Sequence, residues 1–355
     1  MSSPTARPIR TCSRSTIWPT PARTRTDRPA GRNMTGEAGR RALVFDLLET
    51  YCARKGYRLT AGDDHGHAGL VESPSGRRWF FKGTRFDLNT LGATEIATDK
   101  AYAATFLKAA GLAVPEGRLV FARDLREHRQ PPQDLLDFAE QHGLPLYVKP
   151  NCGREGRDVV RVDTLHALQD TLLTLAKNND QLLVQPEIRG QELRIVVLDG
   201  EVLCAIERRP PQITGDGLRS IATLIGADAR LEAADPRLHI ELSQRDLTLE
   251  AIPAPGQTVT LLPVVNLSAG GTARIVTGSL APDLAALARK AAQALALRYA
   301  AVDLILPDAA GAEADAIVLE VNAAPGLGNL ARQGSEESAA VHQIYDRVFE
   351  AMFAG

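Results

Sequence analysis

Hydrophobic and polar positions follow one another along most of this chain with the spacings of helices and strands. Residues 38–55 place Leu43, Leu47 and Tyr51 on one helical face, which predicts a helix that ends at Gly56. The same spacing predicts further helices over residues 95–110, 131–142, 164–177 and 282–298.

Short apolar runs bounded by turn residues predict strands. They cover residues 78–82, 144–150, 181–188, 300–307 and 316–322. Residues 192–208 hold two β-branched runs on either side of Asp199 and Gly200, which predicts a hairpin. Helices that alternate with hairpins indicate an α+β fold rather than a continuous series of parallel strands.

Composition is that of a globular protein, with 44% hydrophobic and 24% charged residues. No stretch approaches the roughly 20 apolar residues that cross a bilayer, so we expect no membrane partner. The four cysteines lie apart without CxxC spacing. This favours a reduced, cytoplasmic protein over a disulfide scaffold or a zinc site.

The net charge of −2 is unevenly distributed. Residues 1–33 hold seven arginines and one acid, so the rest of the chain has 34 basic and 42 acidic residues, a net charge of −8. Because nucleic-acid binding needs a basic surface, we expect no nucleic-acid partner.

The basic leader has three interpretations: a transit peptide, a nucleic-acid tail, or a disordered or mis-assigned start with translation from Met34. We favour the third.

Two features of the sequence suit phosphate binding. Lys100 and Lys149, at the ends of predicted elements, offer compact charges for a triphosphate, although a single lysine is more often a surface residue. The loop of residues 153–157 combines Gly153 and Gly156 with arginines such as Arg157, so backbone N–H groups can converge on phosphate oxygens. Many plain hairpin turns share this composition.

Two further features suit a metal ion and an anion. Asp303, Glu320 and Asn322 lie on two late predicted strands, and residues two apart share one side of a strand. Such oxygen donors suit Mg²⁺, although an isolated polar pair on an edge strand has the same pattern. The loop of residues 266–272, NLSAGGT, allows close backbone approach to a phosphate or carboxylate, with a glycine turn as the alternative.

Six collinear segments between about residues 85 and 330 resemble the ATP-grasp superfamily, and within it the ATP-grasp domain of the cyanophycin synthetase family. They are EIATDKAYAATFLKAAGLAVPEG, VKPNCGREGRDV, QPEIRGQELR, ERRPPQITGDGLRSIATLI, NLSAGGTA and LEVNAAPGLGNL. The resemblance implies two α+β subdomains that clamp ATP, over residues 98–190 and 191–355. A short N-terminal α/β region would cover residues 34–97.

The resemblance also implies roles for individual residues, with ATP and Mg²⁺ or Mn²⁺ as cofactors. Nucleotide binding is implied for Lys100, Lys149, Gly153, Gly156, Arg157, Gln185, Glu187, Ile188 and Glu192. Of these, Lys149 would approach the adenine or α-phosphate, residues 185–188 would line the adenine pocket, and Glu192 would hold the ribose. Metal binding is implied for Asp303, Glu320 and Asn322, and catalysis for Arg208, Arg194 and Asn266.

The activity implied is an ADP-forming carboxylate–amine ligase that joins amino acids or peptides through an acyl-phosphate, in a dimer or tetramer. Alternatives are a non-catalytic, regulatory ATP-binding protein and one subunit of a cyanophycin-like polymerase. Two positions depart from the family: Gln185 stands where an acidic residue is usual, and Asp158 replaces a glycine. The family's large N-terminal and Mur-ligase-like domains have no counterpart in these 355 residues, which favours a single ligation over polymerisation.

Overall fold

Helices and strands alternate through the described chain, as the apolar pattern predicts. The computed structural model describes residues 41–153, 156–226, 231, 235–243, 245–262, 265, 267, 270–308 and 316–354. All elements belong to the unit formed by residues 41–355. The leader of residues 1–33 lies outside the described residues.

The helices are α1 (Leu43–Lys55), α2 (Leu91–Thr98), α3 (Lys100–Ala109), α4 (Ala122–His128), α5 (Gln133–His142), α6 (Leu165–Leu175), α7 (Ile221–Ile225), α8 (Pro236–Ser243), α9 (Pro282–Ala294), α10 (Gly328–Ala331) and α11 (Ser335–Ala354). The strands are β1 (Arg58–Ala61), β2 (Ala68–Glu72), β3 (Arg78–Lys82), β4 (Arg118–Phe121), β5 (Leu146–Pro150), β6 (Val160–Val162), β7 (Gln181–Pro186), β8 (Gly190–Leu198), β9 (Glu201–Arg209), β10 (Gln212–Thr214), β11 (Thr258–Thr260), β12 (Thr272–Ile275), β13 (Tyr299–Pro307) and β14 (Ile317–Asn322).

Turn chemistry explains where several elements end. The hairpin between β8 and β9 turns through Asp199 and Gly200, whose φ angles of 48° and 78° are left-handed, as the sequence predicts. The helix predicted over residues 95–110 is instead two helices. Asp99 has an extended backbone (φ −87°, ψ 104°), and its side chain accepts a hydrogen bond from the N–H of Tyr102. Asp99 therefore ends α2 and caps α3, a position that Asp favours over a helix interior.

A four-stranded antiparallel sheet, which we call the lid sheet, has the order β4-β7-β5-β6. Apolar side chains from α4, α5 and α6 cover one of its faces, among them Leu125, Phe138, Leu168 and Leu172. Because side chains alternate along a strand, Tyr147 and Lys149 of β5 point to the opposite face from Leu146 and Val148.

A five-stranded antiparallel sheet, which we call the main sheet, has the order β12-β9-β8-β13-β14. Helices α2, α3 and α9 pack on one face through residues such as Leu107, Ala288 and Ala292. At Gly190, where β8 begins, an added Cβ would lie 2.0 Å from the carbonyl oxygen of Leu306, so only glycine lets β8 approach β13 here.

The other face of the main sheet packs partly against the N-terminal elements. The β1-β2-β3 sheet, α1 and the C-terminal helix α11 share one apolar core with this face, including Leu48, Trp79, Tyr299 and Phe349. The sequence did not predict β1, β2 or α11. Among the described residues between 212 and 262, α7, α8, β10 and β11 form a small module with its own core, and the sequence did not predict these elements.

No helix among the described residues combines the length and apolar character needed to span a membrane.

Candidate nucleotide and metal site

Three predicted metal ligands lie together at the paired ends of β13 and β14. Asp303 lies opposite Glu320, and Ala301 lies opposite Asn322. The register shifts after Asp303, where Leu304 pairs with Val318, so Leu319 is the extra residue of a bulge. Such a bulge re-aims side chains, and here Asn322 donates a hydrogen bond from Nδ2 to Glu320 Oε1 at 3.0 Å. The expectation that Glu320 and Asn322 share one side of the strand is therefore met.

The two arginines predicted to act in catalysis converge on the same aspartate. Arg194, opposite Asp303 on β8, donates from Nε and Nη2 to Oδ1 and Oδ2 of Asp303 at 2.7 and 2.6 Å. Arg208 of β9 places Nη2 3.2 Å from the same Oδ2 and donates to Glu192 Oε2 at 3.0 Å. The side chains of Asp303 and Arg208 are only 3% and 8% exposed. Alternating charges therefore replace apolar packing at this end of the sheet.

Mutual pairing sets the protonation of these groups. Burial opposes the charge on Arg194, but Asp303 outweighs it and raises the pKa of the guanidinium. Burial would raise the pKa of Glu320, yet the charges of Lys100, Arg194 and Lys149 and the hydrogen bond from Asn322 hold it well below the usual range. Glu192 behaves differently: burial raises its pKa despite the nearby Arg208. The site thus keeps Glu320 ionised at neutral pH.

The two predicted lysines flank this acidic edge from different elements. Lys100, the first residue of α3, donates from Nζ to the carbonyl oxygen of Gly153 at 2.9 Å and lies 3.4 Å from Glu320 Oε2. Lys149 is half-buried on the face of the lid sheet opposite α4, α5 and α6, and no ion pair to it is found within the described residues. Burial lowers the pKa of Lys149 to about 8; Glu320 opposes this shift and Lys100 adds to it.

The loop of residues 153–157, which we call the glycine loop, only partly joins this group, and its residues 154 and 155 lie outside the described residues. Gly153 contacts Lys100 through its carbonyl oxygen, and Gly156 has a left-handed φ of 66°. Gly153 and Arg157 also line a surface cavity of about 940 Å³ beside Pro150 and Gln181, at the end of the lid sheet. A separate, narrower cleft is bordered by Lys100, Gln185 and Glu320.

The connection between the lid and main sheets carries the remaining predicted nucleotide residues. Gln185 is nearly buried at the end of β7, opposite Tyr147. Ile188 follows in the link to β8. The side chain of Glu187 is bound on both sides, accepting from Arg161 Nε at 2.7 Å and from Arg189 Nε at 2.8 Å. A contact of Glu187 with adenine would therefore have to come from its backbone. Asn266 lies outside the described residues.

Sequence reasoning missed two residues that organise this region. Asn151 is fully buried: its Oδ1 accepts from the N–H of Ala101, its Nδ2 donates to Gln181 Oε1, and its carbonyl oxygen accepts from the N–H of Lys100. It therefore fixes the start of α3, and with it Lys100, to the lid sheet. Asn89 links β13 to the segment after Asn322. Asn151 lies within the segment VKPNCGREGRDV, but neither its contacts nor those of Asn89 follow from local sequence, because their partners lie 30 to 234 positions away.

Both the sequence and the fold are similar to those of ATP-grasp proteins. Residues 264–343 match the RimK-like ATP-grasp domain. The chain is 28% identical over 261 residues to the cyanophycin synthetase of Trichormus variabilis, which covers 69% of this chain and 28% of that protein. It is 27% identical over 253 residues to the cyanophycin synthetase of Geminocystis herdmanii, which covers 66% of this chain and again 28% of that protein.

The crystal structure of a bifunctional glutathione synthetase from Pasteurella multocida superposes with a TM-score of 0.51 and 20% identity. The match covers 81% of this chain and 40% of that one. This chain spans little more than a quarter of the length of the cyanophycin synthetases it matches. The predicted α+β, ATP-grasp fold is confirmed: the chain has the ATP-grasp fold, its residues 264–343 match the RimK-like ATP-grasp domain, and it resembles cyanophycin synthetases over little more than a quarter of their length.

Proposed function

We propose that this chain is an ADP-forming ligase that binds Mg-ATP between the lid and main sheets and joins a carboxylate to an amine. The observation that carries the proposal is the convergence of Arg194, Arg208 and Lys100 on Asp303 and Glu320, at the edge that faces the lid sheet lysine. The subdomain limits 98–190 and 191–355 belong to this proposal.

Arg208 and Lys149 could each bind an oxygen atom of the ATP phosphates. Among the described residues, Arg208 Nε is buried without a hydrogen-bond partner, although its Nη2 is engaged. A buried N–H without an acceptor is costly, and a phosphate or acyl-phosphate oxygen would satisfy it. Lys149 is half-buried and has no counter-charge at bonding distance in the described chain. An anionic ligand would stabilise its ammonium form.

The residues present also fit a magnesium ion. Asp303, Glu320 and Asn322 offer two carboxylates and an amide oxygen on neighbouring strands, the hard donors that Mg²⁺ prefers. Lys100 and Arg194 now contact these carboxylates, and both are long enough to turn toward phosphate oxygens instead. When bound, the ion would neutralise charge on the transferring phosphoryl group. Within the described residues no group of three or more His, Cys, Asp and Glu side chains offers a rival site.

Phosphate binding, phosphoryl transfer and the exclusion of water would depend on side chains of this chain. Lys149 and Lys100 would hold the nucleotide phosphates, and Arg208 would donate to oxygen atoms of the phosphoryl group as it moves to the substrate carboxylate. Glu192 anchors Arg208 in that orientation through a 3.0 Å hydrogen bond. The glycine loop beside Lys100 would cover the acyl-phosphate and exclude water until an amine displaces the phosphate. Gln185 and the backbone of residues 187–188 would border the base.

The experiment is ADP and phosphate release from Mg-ATP across a panel of amino acids and short peptides, tested singly and in pairs. Turnover that needs both an acid and an amine, and that Glu320→Ala abolishes, would support the ligase. Glu201→Ala is the matched control, because Glu201 forms an exposed ion pair with Arg347 away from the site. Acid-dependent ADP release without any amine product would contradict ligation.

Tight ATP binding without turnover under any mixture would favour a regulatory ATP-binding protein. Turnover that appears only after a partner chain is added would favour one subunit of a polymerase. The small-molecule substrates, the oligomeric state and the cellular compartment belong to the proposal, and the panel would identify the substrates first.

A further inference from the structure

A single half-buried asparagine outside both sheets joins the strands that carry the candidate metal ligands. Asn89 lies between β3 and α2. Its Nδ2 donates to the carbonyl oxygens of Tyr299 at 2.7 Å and Ala323 at 2.8 Å. Its Oδ1 accepts from the N–H groups of Arg298 at 2.8 Å and Tyr299 at 3.1 Å. Two donors and two accepting positions are all that an amide offers, so its hydrogen-bonding capacity is fully used.

These four bonds lie where the β13–β14 ladder stops. The last registered pair is Ala301 with Asn322, and β14 ends there. Tyr299 and Ala323 lie just beyond that pair, and the amide of Asn89 joins their carbonyl oxygens across the end of the ladder. Asn89 thereby takes the place of hydrogen bonds that the strands no longer make, and it restrains the residue directly after Asn322.

A second side chain from the same segment acts on the next residue. Thr84 donates from Oγ1 to the carbonyl oxygen of Ala324 at 2.8 Å. Between Thr84 and Asn89, Phe86 and Leu88 are buried in the core shared with α11 and the main sheet, where Phe86 contacts Tyr299, Tyr345 and Phe349. Packing of Phe86 and Leu88 therefore fixes this segment, and Thr84 and Asn89 donate hydrogen bonds from it to the backbone after β14.

We infer that Asn89, with Thr84 in support, is a positioning residue that holds Asn322 and Glu320 in the geometry that binds the magnesium–nucleotide complex. Asn89 touches neither ligand, so it acts through the backbone at the end of β14. The inference rests on the proposed function, because it concerns two of the same metal ligands. It assigns to the N-terminal region a role in the site as well as in the core.

The readout is the gain in ADP affinity when magnesium is added, measured by titration calorimetry without turnover. Asn89→Ala should shrink this gain by about tenfold, as loss of a residue that supports metal ligands commonly does. Affinity for ADP without magnesium should change by less than about twofold, because Lys100 and Lys149 are untouched. Thr84→Val should shift the gain in the same direction by a smaller factor.

Thr277→Val is the matched control. Its Oγ1 accepts from the N–H of Ala205 at 3.0 Å, so the variant loses one side-chain bond to the backbone of the main sheet, away from β14. A purely structural role for Asn89 would make Asn89→Ala and Thr277→Val alike: a lower unfolding temperature with the wild-type magnesium gain. That result in a folded Asn89→Ala variant would overturn the inference.

The remaining outcomes are also decisive. If Asn89→Ala does not fold, Thr84→Val decides, and a wild-type magnesium gain in that variant would overturn the inference. If the wild-type chain binds no ADP with or without magnesium, the proposed function fails and the inference fails with it. If the wild type shows the gain and both segment variants keep it, only the role of Asn89 and Thr84 is wrong.

Discussion

The lid sheet and the main sheet differ in whether their cationic side chains have ion-pair partners. On the main sheet, Arg194 and Arg208 are balanced by Asp303 and Glu192 at 2.6 to 3.2 Å, and pairing raises the pKa of Arg194. On the lid sheet, Lys149 has no ion pair within the described chain, and burial lowers its pKa to about 8. The arginines of the main sheet have counter-charges without a ligand, although Arg208 Nε lacks an acceptor among the described residues. The lid sheet instead holds a cation that burial destabilises.

This difference predicts which of these cations stabilise the fold before a ligand binds. A paired, buried arginine contributes to stability because its removal leaves a carboxylate without a counter-charge. A half-buried lysine without an ion-pair partner contributes nothing comparable, so it is retained at a cost that an anionic ligand would offset. The two sheets should therefore respond differently to mutation, pH and nucleotide.

The largest expected effect distinguishes the two faces of β9. Arg208→Met should lower ligase turnover about a hundredfold or more, because it removes a donor aimed at the transferring phosphoryl group. Arg209→Met is the matched control: this neighbouring arginine is 61% exposed and binds Glu207 on the opposite face. Steady-state rates of ADP release test the pair, and an equal loss in both variants would contradict a specific role for Arg208.

The next effect tests stability across the two sheets. Arg194→Met should lower the free energy of unfolding by about 3 kcal/mol, because Asp303 stays buried with only Arg208 beside it. Lys149→Met should leave it unchanged or raise it, since no ion-pair partner is left behind and the removed charge is one that burial disfavours. Urea denaturation without nucleotide measures both. A large loss in Lys149→Met would show that the lysine has a structural partner.

Protonation of Lys149 gives a pH-dependent signature. Its folded-state pKa of about 8 lies below the ordinary 10.5, so the unfolded chain binds more protons between these values. The contribution of Lys149 to the free energy of unfolding should therefore rise with pH across this window. Nucleotide affinity should fall above pH 8, by up to about tenfold per pH unit, because ATP binds the protonated form.

Calorimetry of ATP binding from pH 7 to 9.5 measures this dependence, with Lys149→Met as the comparison. The variant should bind more weakly at pH 7 and lack the decline above pH 8. A wild-type affinity that stays constant across the range would mean that Lys149 does not meet the phosphates.

The smallest effect concerns the link between the sheets. Glu187→Gln weakens the ion pairs to Arg161 and Arg189 but leaves the backbone in place. ATP affinity should therefore change by less than about threefold, in keeping with the modest worth of partly exposed ion pairs. Equilibrium binding at neutral pH tests this. A loss near tenfold would show that the Glu187 carboxylate contacts the nucleotide directly.

Local chemistry explains which parts of the fold could be predicted from the sequence. The sequence predicts the Asp199–Gly200 hairpin and strand β3, because turn residues and the alternation of polar and apolar residues depend only on neighbouring positions. The break at Asp99 was missed, since an aspartate inside a helical pattern caps α3 only once the chain turns there. The module of residues 212–262 was also missed, because short elements with a small core leave little periodicity.

The contacts within the candidate site are harder to predict from the sequence than the helices and strands are. The residue types of the metal set could be predicted, since Glu320 and Asn322 are two apart on one strand. The ion pairs of Asp303 could not, because they depend on the register of β13 against β8, more than 100 residues earlier. The role of Asn89 depends on contacts across more than 200 residues. Such pairings are set by tertiary packing alone.

The chain order of the two sheets has a consequence for synthesis on the ribosome. Every strand of the lid sheet lies between residues 118 and 186, so that sheet can form once a single continuous stretch has emerged. In the main sheet β13 lies beside β8, so the ion pair between Arg194 and Asp303 can form only late in translation. Contacts between distant residues form slowly, and nascent chains expose the unpaired edges meanwhile. Translation pauses between β9 and β13 should therefore prolong the period in which β8 is open to aggregation.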